Sequence, residues 1–268
     1  MHLITSQHIK DFQRDGVVFL RQLLNADEIT ILRKGIDLNL STLSPRAKIA
    51  SKSHDPGLFV EDFCNWQHNE YYRKIIFETC LGSTAAQLMQ SQMVQLYHDH
   101  LLVKEPGTQQ ITPWHQDQPY YNIAGLQNCS FWIPVDPVSR AATLELIKGS
   151  HVGPWFMPRT FLDNQAKWFP EGTMYELPDI EQSREQFPIT GWEMQPGDVV
   201  CFHMLTLHMA RGVNEHNRRR VFSLRFMGDD ITYAPRTWST SPDFPGLNTQ
   251  LRPGEPMNHS LFPTVFLS

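Results

Sequence analysis

Cysteine is scarce: four residues, Cys64, Cys80, Cys129 and Cys201, are scattered through 268 with no CxxC spacing. That excludes a disulfide scaffold or a zinc ribbon and reads as buried thiols in a reducing compartment. No apolar run approaches the ~20 residues that a membrane-crossing helix needs. A basic stripe is also missing. The net charge is −5, and the one cluster, Arg218-Arg219-Arg220, is too short to neutralise a phosphate backbone, so nucleic acid is not expected as a partner. Met1-His2-Leu3-Ile4-Thr5 shows no charged region followed by an apolar stretch, so no signal peptide is expected and the cytoplasm is the expected compartment. Charged residues are few, 19% against 41% hydrophobic, which excludes disorder and coiled coil.

What is present changes character along the chain. Thr5 or Ser6 can cap a helix that carries Ile9 and Phe12 on its apolar side and ends at Gly16. After the strand-like run Val17–Leu20, Asn25 and Glu28 have capping-box spacing ahead of Ile29, Leu32 and Ile36. Residues 69–81 form a third amphipathic segment with Gly82 as its stop, and Ser83 starts a fourth. From Met93 onward, short runs rich in Val, Ile, Phe, Trp and Thr alternate with Pro and Gly, the pattern of an all-β core. Expected strands are 93–103, 109–114, 129–135, 142–147, 198–208 and 221–227. Residues 152–192 lack periodicity and read as a binding loop or lid. With no linker or repeat, one domain is expected over 1–268: a helical part to about 92, a β core over 93–230 and a C-terminal tail over 231–268.

Twelve histidines invite a search for metal ligands. Two imidazoles and a carboxylate suit Fe(II) and leave coordination positions open. Residues i and i+2 of a strand share a face, so a His-x-Asp pair can reach one metal. His115-Gln116-Asp117 has this spacing at the end of an expected strand. His68-Asn69-Glu70 lies at a helix start, where i and i+2 diverge by about 200°. His98-Asp99-His100 presents two imidazoles on one face without an evident carboxylate. The third ligand is expected from His203 or His208. His208, beside the polar turn at Arg211-Gly212, is preferred as rim-located, and His203 reads as a hydrogen-bonded core residue. Among the arginines near 218–225, one entering the barrel could hold a carboxylate through two parallel hydrogen bonds.

Taken together, Phe12–Gly16, Pro113-Trp114-His115-Gln116-Asp117, Gly149-Ser150-His151, Pro196-Gly197-Asp198 through His208, and Arg219 resemble the phytanoyl-CoA dioxygenase family over about residues 5–230. The resemblance implies a mainly β fold with flanking helices, a double-stranded β-helix (jelly roll, cupin-like). It also implies a non-haem Fe(II) enzyme that uses 2-oxoglutarate and O2. It assigns His115, Asp117 and His208 to iron, and Arg219 and Trp132 to 2-oxoglutarate. Two positions depart from the family pattern. Ala210 stands where relatives often carry a Ser that helps bind 2-oxoglutarate, so Thr143 or a tyrosine is expected to substitute. Arg140-Ala141-Ala142 replaces the usual Asn-Gly. Asp117, present where related halogenases have Gly or Ala, favours hydroxylation.

Trp114, Gln118, Tyr120, Tyr121 and Asn122 are expected to line the outer face of the iron and meet the substrate. Some family members hydroxylate ectoine or 2-aminoethylphosphonate, and others take acyl thioesters or terpenoids. Without a basic patch for a CoA tail, a small polar or zwitterionic metabolite is expected, with Arg159 and Asp229 or Asp230 as possible charged contacts. The rival readings are a zinc-dependent hydrolase, which has no use for Arg219 or Trp132, and a non-catalytic jelly-roll binding protein. Oligomeric state is not legible in the sequence.

Overall fold

The computed structural model describes residues 4–158, 174–214 and 216–268. The N-terminal part runs α1 (Ser6–Asp15), β1 (Val17–Leu20), α2 (Ala26–Ser41), β2 (Lys48–Ile49), β3 (Phe59–Phe63), α3 (Glu70–Glu78) and α4 (Leu81–Met89). The strands β4 (Met93–Lys104), β5 (Thr112–His115), β6 (Ile123–Ala124), β7 (Asn128–Pro134) and β8 (Leu144–Ile147) follow. The chain closes with β9 (Ile189–Thr190), β10 (Val199–Phe202), β11 (His208–Ala210), β12 (Arg219–Met227), β13 (Thr232–Tyr233) and β14 (Thr264–Leu267).

Local chemistry sets the first helices. The Thr5 hydroxyl accepts from the His8 amide at the start of α1, and Gly16 adopts φ 70° to end it. Asn25 and Glu28 close the expected capping box on α2. Gly82 differs from its expected role. Asn69 caps α3, which stops at Thr79, and Gly82 lies inside α4. A Cβ there would sit 3.0 Å from the Val265 carbonyl, so the glycine admits the C-terminal strand rather than ending a helix.

Two antiparallel sheets face each other in the expected jelly roll. The large sheet runs β1-β10-β7-β12-β4-β3-β2, and β4 also pairs with β14 along Met93–Gln95; the small sheet is β5-β11-β8-β9. β3 was not expected in a part read mainly as helical, yet it pairs with β4 from His100 to Lys104. The expected strand 198–208 is two strands in different sheets, β10 and β11, joined across residues 203–207.

Strand alternation divides the large sheet. Cys129, Phe131, Ile133, Leu101, Val103, Phe222, Leu224 and Phe226 face the helices in one apolar cluster with Leu32, Ile36, Tyr72, Ile75 and Leu88. Burying side chains of this size contributes about 1.5–3 kcal/mol each. The opposite face carries Glu61, His100, Arg219 and Arg225, buried side chains that line a cavity together with residues of the small sheet. Polar groups inside a barrel need partners, from the protein or from a ligand.

Residues 231–268 are not a loose appendage. Tyr233, Phe244, Leu247, Leu251, Met257 and Phe262 pack with Tyr97, Tyr120 and Tyr121 beside that cavity. The described part of 152–192 meets the back of the small sheet, where Phe156, Leu177, Ile180 and Ile189 pack on Trp114, Ile147 and Met209. Arg159 and residues 160–173 of the expected lid lie outside the described residues. No described helix is long and apolar enough to cross a membrane.

Candidate active site

β5 and β11 are neighbours in the small sheet, with His208 directly opposite His115. This register brings the two imidazoles to a centroid distance of 4.1 Å. Asp117 lies past the end of β5. Its own backbone is helical (φ −75°, ψ −47°), and its amide donates to the Met204 carbonyl at 2.7 Å. The side chain of Gln116 binds the Leu205 and Pro154 carbonyls and the Phe156 amide, pinning the same turn. A turn into a short 3-10 helix, not a continued strand, therefore carries the carboxylate back to the imidazoles. Asp117 Oδ1 is 3.7 Å from both His115 Nε2 and His208 Nε2. One ligand atom from each residue lies within 4.8 Å of the others, and this is the one such group among the described residues.

Tautomers follow from the neighbours. His115 Nδ1 is 2.8 Å from the Pro113 carbonyl and His208 Nδ1 is 2.9 Å from the Thr206 carbonyl, so each Nδ1 carries the proton and donates. Each Nε2 lone pair is left facing Asp117, the arrangement in which imidazole binds a metal. Burial, reinforced by His208, pushes His115 down to about 3. Burial lowers His208 as well, so both rings are neutral at pH 7. Burial alone would raise Asp117. Arg225, with the Ser130 hydroxyl, reverses that and holds it well below the usual carboxylate range. Ser130 donates to Asp117 Oδ2 at 2.7 Å, and Arg225 Nη2 lies 3.2 Å from the same oxygen. Arg225 also donates to the Tyr121 and Ser223 hydroxyls.

The cavity has a volume of about 230 Å³. His115, Asp117 and His208 line it, with Thr112, Trp132, Leu144, Ala210, Arg219 and Val221 on one side and Glu61, Phe63, His100, Tyr120 and Tyr121 also in its wall. Arg219 is buried, donates to the Ala142 carbonyl, and has its guanidinium 5.7 Å from the Trp132 ring. It makes no ion pair among the described residues, and burial alone draws its pKa down to about 10. Its neighbours in sequence are spoken for: Arg218 pairs with Glu105, and Arg220 with Asp136 and Asp37.

The remaining sequence candidates divide. Trp132, Tyr120 and Tyr121 line the cavity. Trp114 does not: strand alternation turns it from His115 to the back of the small sheet, where its indole donates to Glu181. Gln118 binds the Gly125 carbonyl and Asn128, and Asn122 accepts from the Tyr97 hydroxyl, so both are structural. Thr143 is buried, its hydroxyl has no partner, and it does not line the cavity. Thr112, directly opposite Ala210 in the sheet, puts a side chain there instead. Asp229 and Asp230 cap backbone amides at Gln92, Met93, Leu126 and Gln127, away from the cavity. His203 is a core residue, bonded to the Leu126 carbonyl and the Leu205 amide. His68 is exposed. Asp99 accepts from the Asn65 and Trp66 amides, so the His98-Asp99-His100 carboxylate serves the backbone.

A sequence model of the phytanoyl-CoA dioxygenase family matches residues 12–221. The chain belongs to that family. A probable phytanoyl-CoA dioxygenase of Caenorhabditis elegans is 24% identical over 218 residues, 78% of this chain and 64% of the relative, so this chain spans just under two thirds of that protein. In fold, the chain is similar to SnoK, a non-haem α-ketoglutarate-dependent carbocyclase of nogalamycin biosynthesis (TM-score 0.76, 22% identity, covering 98% of this chain and 96% of that one). The epimerase SnoN, solved with Fe3+, α-ketoglutarate and nogalamycin RO, is similar too (TM-score 0.76, 17% identity, 97% of each chain). So is EctD from S. alaskensis, solved with 2-oxoglutarate and 5-hydroxyectoine (TM-score 0.68, 17% identity, 94% of this chain and 85% of that one).

Proposed function

We propose that the protein is a non-haem Fe(II)- and 2-oxoglutarate-dependent oxygenase that binds Fe(II) through His115 Nε2, Asp117 and His208 Nε2, anchors 2-oxoglutarate on Arg219, and hydroxylates a C–H bond of a small polar or zwitterionic metabolite. The observation that carries the reading is the pairing of two Nε2 lone pairs and a carboxylate, aimed at one another, with a buried guanidinium in the same cavity that has no ion pair among the described residues. When bound, iron and 2-oxoglutarate supply the oxidising power: dioxygen is consumed as the keto acid is decarboxylated to succinate and CO2, and one oxygen atom enters the substrate.

The protein's own groups bind and orient. Neutral His115 and His208 need lose no proton to take up a metal, and their Nδ1–H bonds fix ring direction. Ser130 and Arg225 hold the Asp117 carboxylate ionised and oriented. Arg219 offers a carboxylate two parallel N–H bonds in a buried pocket walled by Trp132, Leu144 and Val221, and Thr112 adds a hydroxyl at the position across from Ala210. Tyr120, Tyr121 and Phe63 supply aromatic wall for the substrate. A zinc hydrolase would leave Arg219 without a task.

The test is succinate release from 2-oxoglutarate in air with Fe(II) added. The unmutated protein should release it, and His115→Ala and Asp117→Ala should not. Release that persists in both variants would overturn the ligand assignment.

A further inference from the structure

Glu61 is out of place among the described buried acids. The other five of these are each met by at least two donors. Asp62 has Asn39 and Ser44, Asp99 has the Asn65 and Trp66 amides, and Asp117 has Ser130 and Arg225. Glu145 has Arg140 and Arg184, and Asp198 has the Gln22 and Gln195 amides. Glu61, 4% exposed, has one partner among the described residues, His100, whose Nε2 donates to Oε1 at 3.2 Å. Its other oxygen makes no hydrogen bond among the described residues. That oxygen is not sealed off from the cavity that Glu61 lines, so a group bound there can donate to it.

The surroundings say what the missing donor is. Glu61 and His100 both line the cavity that holds His115, Asp117 and His208. Phe63 stacks on the His100 ring at 4.0 Å and gives this part of the cavity an aromatic wall, while Tyr120 and Tyr121 line the same cavity next to His115 and Arg225. Carboxylate and aromatic faces together suit a cationic nitrogen. No internal cation is bonded to Glu61. Arg225 is engaged by Asp117, Arg219 lies on β12 beside Trp132 with β4 between it and the strand of Glu61, and the buried Lys104 ammonium acts on Glu61 only through space while donating to the Gln110, Ala210 and Arg211 carbonyls. Lys48 is the one other basic group in the lining, directly opposite Glu61 in the β2–β3 register. It is exposed, its ammonium lies 5.4 Å from the Phe63 ring, and it makes no ion pair with Glu61.

We infer that Glu61, held by His100, receives a protonated amine of the substrate at the aromatic end of the cavity, so that the oxygenase acts on a small cationic or zwitterionic amine. The inference rests on the proposed reading of the cavity as the oxygenase site. It also gives Lys48 a place, at the rim beside the carboxylate, where it competes with an incoming cation.

The test uses the Co(II)-loaded protein with 2-oxoglutarate bound, which takes no part in oxygen chemistry, and two probes of similar size, n-butylammonium and 1-butanol. Paramagnetic relaxation of the probe protons reports binding near the metal even when it is weak. In the unmutated protein butylammonium should bind at least tenfold more tightly than butanol. Glu61→Gln, of the same shape without the charge, should erase that preference while leaving 2-oxoglutarate affinity unchanged. Lys48→Ala, which removes a like charge from the exposed rim beside the incoming ammonium, should tighten butylammonium about twofold, and it serves even if Glu61→Gln fails to fold. Equal binding of the two probes, no binding of either, a preference that survives Glu61→Gln, or no gain in Lys48→Ala overturns the inference. If 2-oxoglutarate itself does not bind the Co(II) protein, the oxygenase reading of the cavity falls as well. If it binds and only the amine preference is missing, the inference about Glu61 falls alone.

Discussion

Replacing Arg219 by methionine should strengthen the ligand-free protein and cripple its hold on 2-oxoglutarate, two effects of opposite sign from one side chain. Burial alone brings the guanidinium down to about 10, so the folded state binds that proton less tightly than the unfolded state does. The cost to folding is present in full below pH 10 and disappears only as the pH rises above it toward the ordinary arginine value. At about 1.4 kcal/mol per pH unit, it is on the order of 3 kcal/mol. Methionine keeps the apolar stem and drops the charge. The lost hydrogen bond to the Ala142 carbonyl returns about 1 kcal/mol, leaving a net gain of about 1–3 kcal/mol. For a chain of this size that raises Tm by roughly 2–6 °C. The ligand loses two charge-assisted bonds worth about 1.5–3 kcal/mol each, a rise in Kd of at least ~100-fold. Thermal melts of the metal-loaded protein, without oxygen, read both effects. At a ligand concentration of about 100 Kd, the unmutated protein should gain about 2.7 kcal/mol, roughly 5 °C, and the variant at most about 0.4 kcal/mol, under about 1 °C. A variant that melts below the parent and keeps the full ligand shift would refute the reasoning and move the anchor to another residue.

Three further outcomes follow from the same structure. Ser130→Ala removes the 2.7 Å bond to Asp117 and should weaken Fe(II) binding about tenfold with little change in fold, read by competition with a chelator. Trp114→Leu should lower stability by about 2–4 kcal/mol and leave iron and 2-oxoglutarate affinities within about twofold, because the indole packs behind the small sheet rather than in the cavity. Burial, with a smaller push from His151, holds His203 at about 4 against 6.5 in the unfolded chain. The unfolded state therefore takes up this proton first, and stability falls by about 3 kcal/mol as the pH drops from 6.5 to 4. Denaturant titrations across that window should show a slope shallower by one proton in His203→Asn, and equal slopes would contradict the burial argument.

Much of the fold was legible because its signals are local. Thr5, Gly16, Asn25 and Glu28 act within one turn of their own helix ends, and the runs after Met93 alternate as strands must. Errors fell where a long-range contact overrides a local one. Gly82 looks like a helix stop but admits the C-terminal strand, and the run ending at His208 looks continuous but changes sheets after Phe202. Trp114 was open to correction from the sequence itself, since a residue next to His115 on a strand faces the other way. Glu61 and Arg225 are a different case. Glu61 lies on a strand in a part read as helical. Arg225 could be seen to face inward, but its bond to Asp117 depends on β12 lying beside β7 and on the turn after His115. The register between distant strands decides such contacts, and no spacing within one segment encodes it.

The most direct measurement is an anaerobic titration of the metal-free protein with Fe(II) and then 2-oxoglutarate, following the visible charge-transfer band that a chelated 2-oxo acid gives with ferrous iron. The unmutated protein should develop the band at one equivalent of each, and His208→Ala should not. Iron that binds the unmutated protein without any band on adding 2-oxoglutarate would contradict the assignment of His115, Asp117, His208 and Arg219.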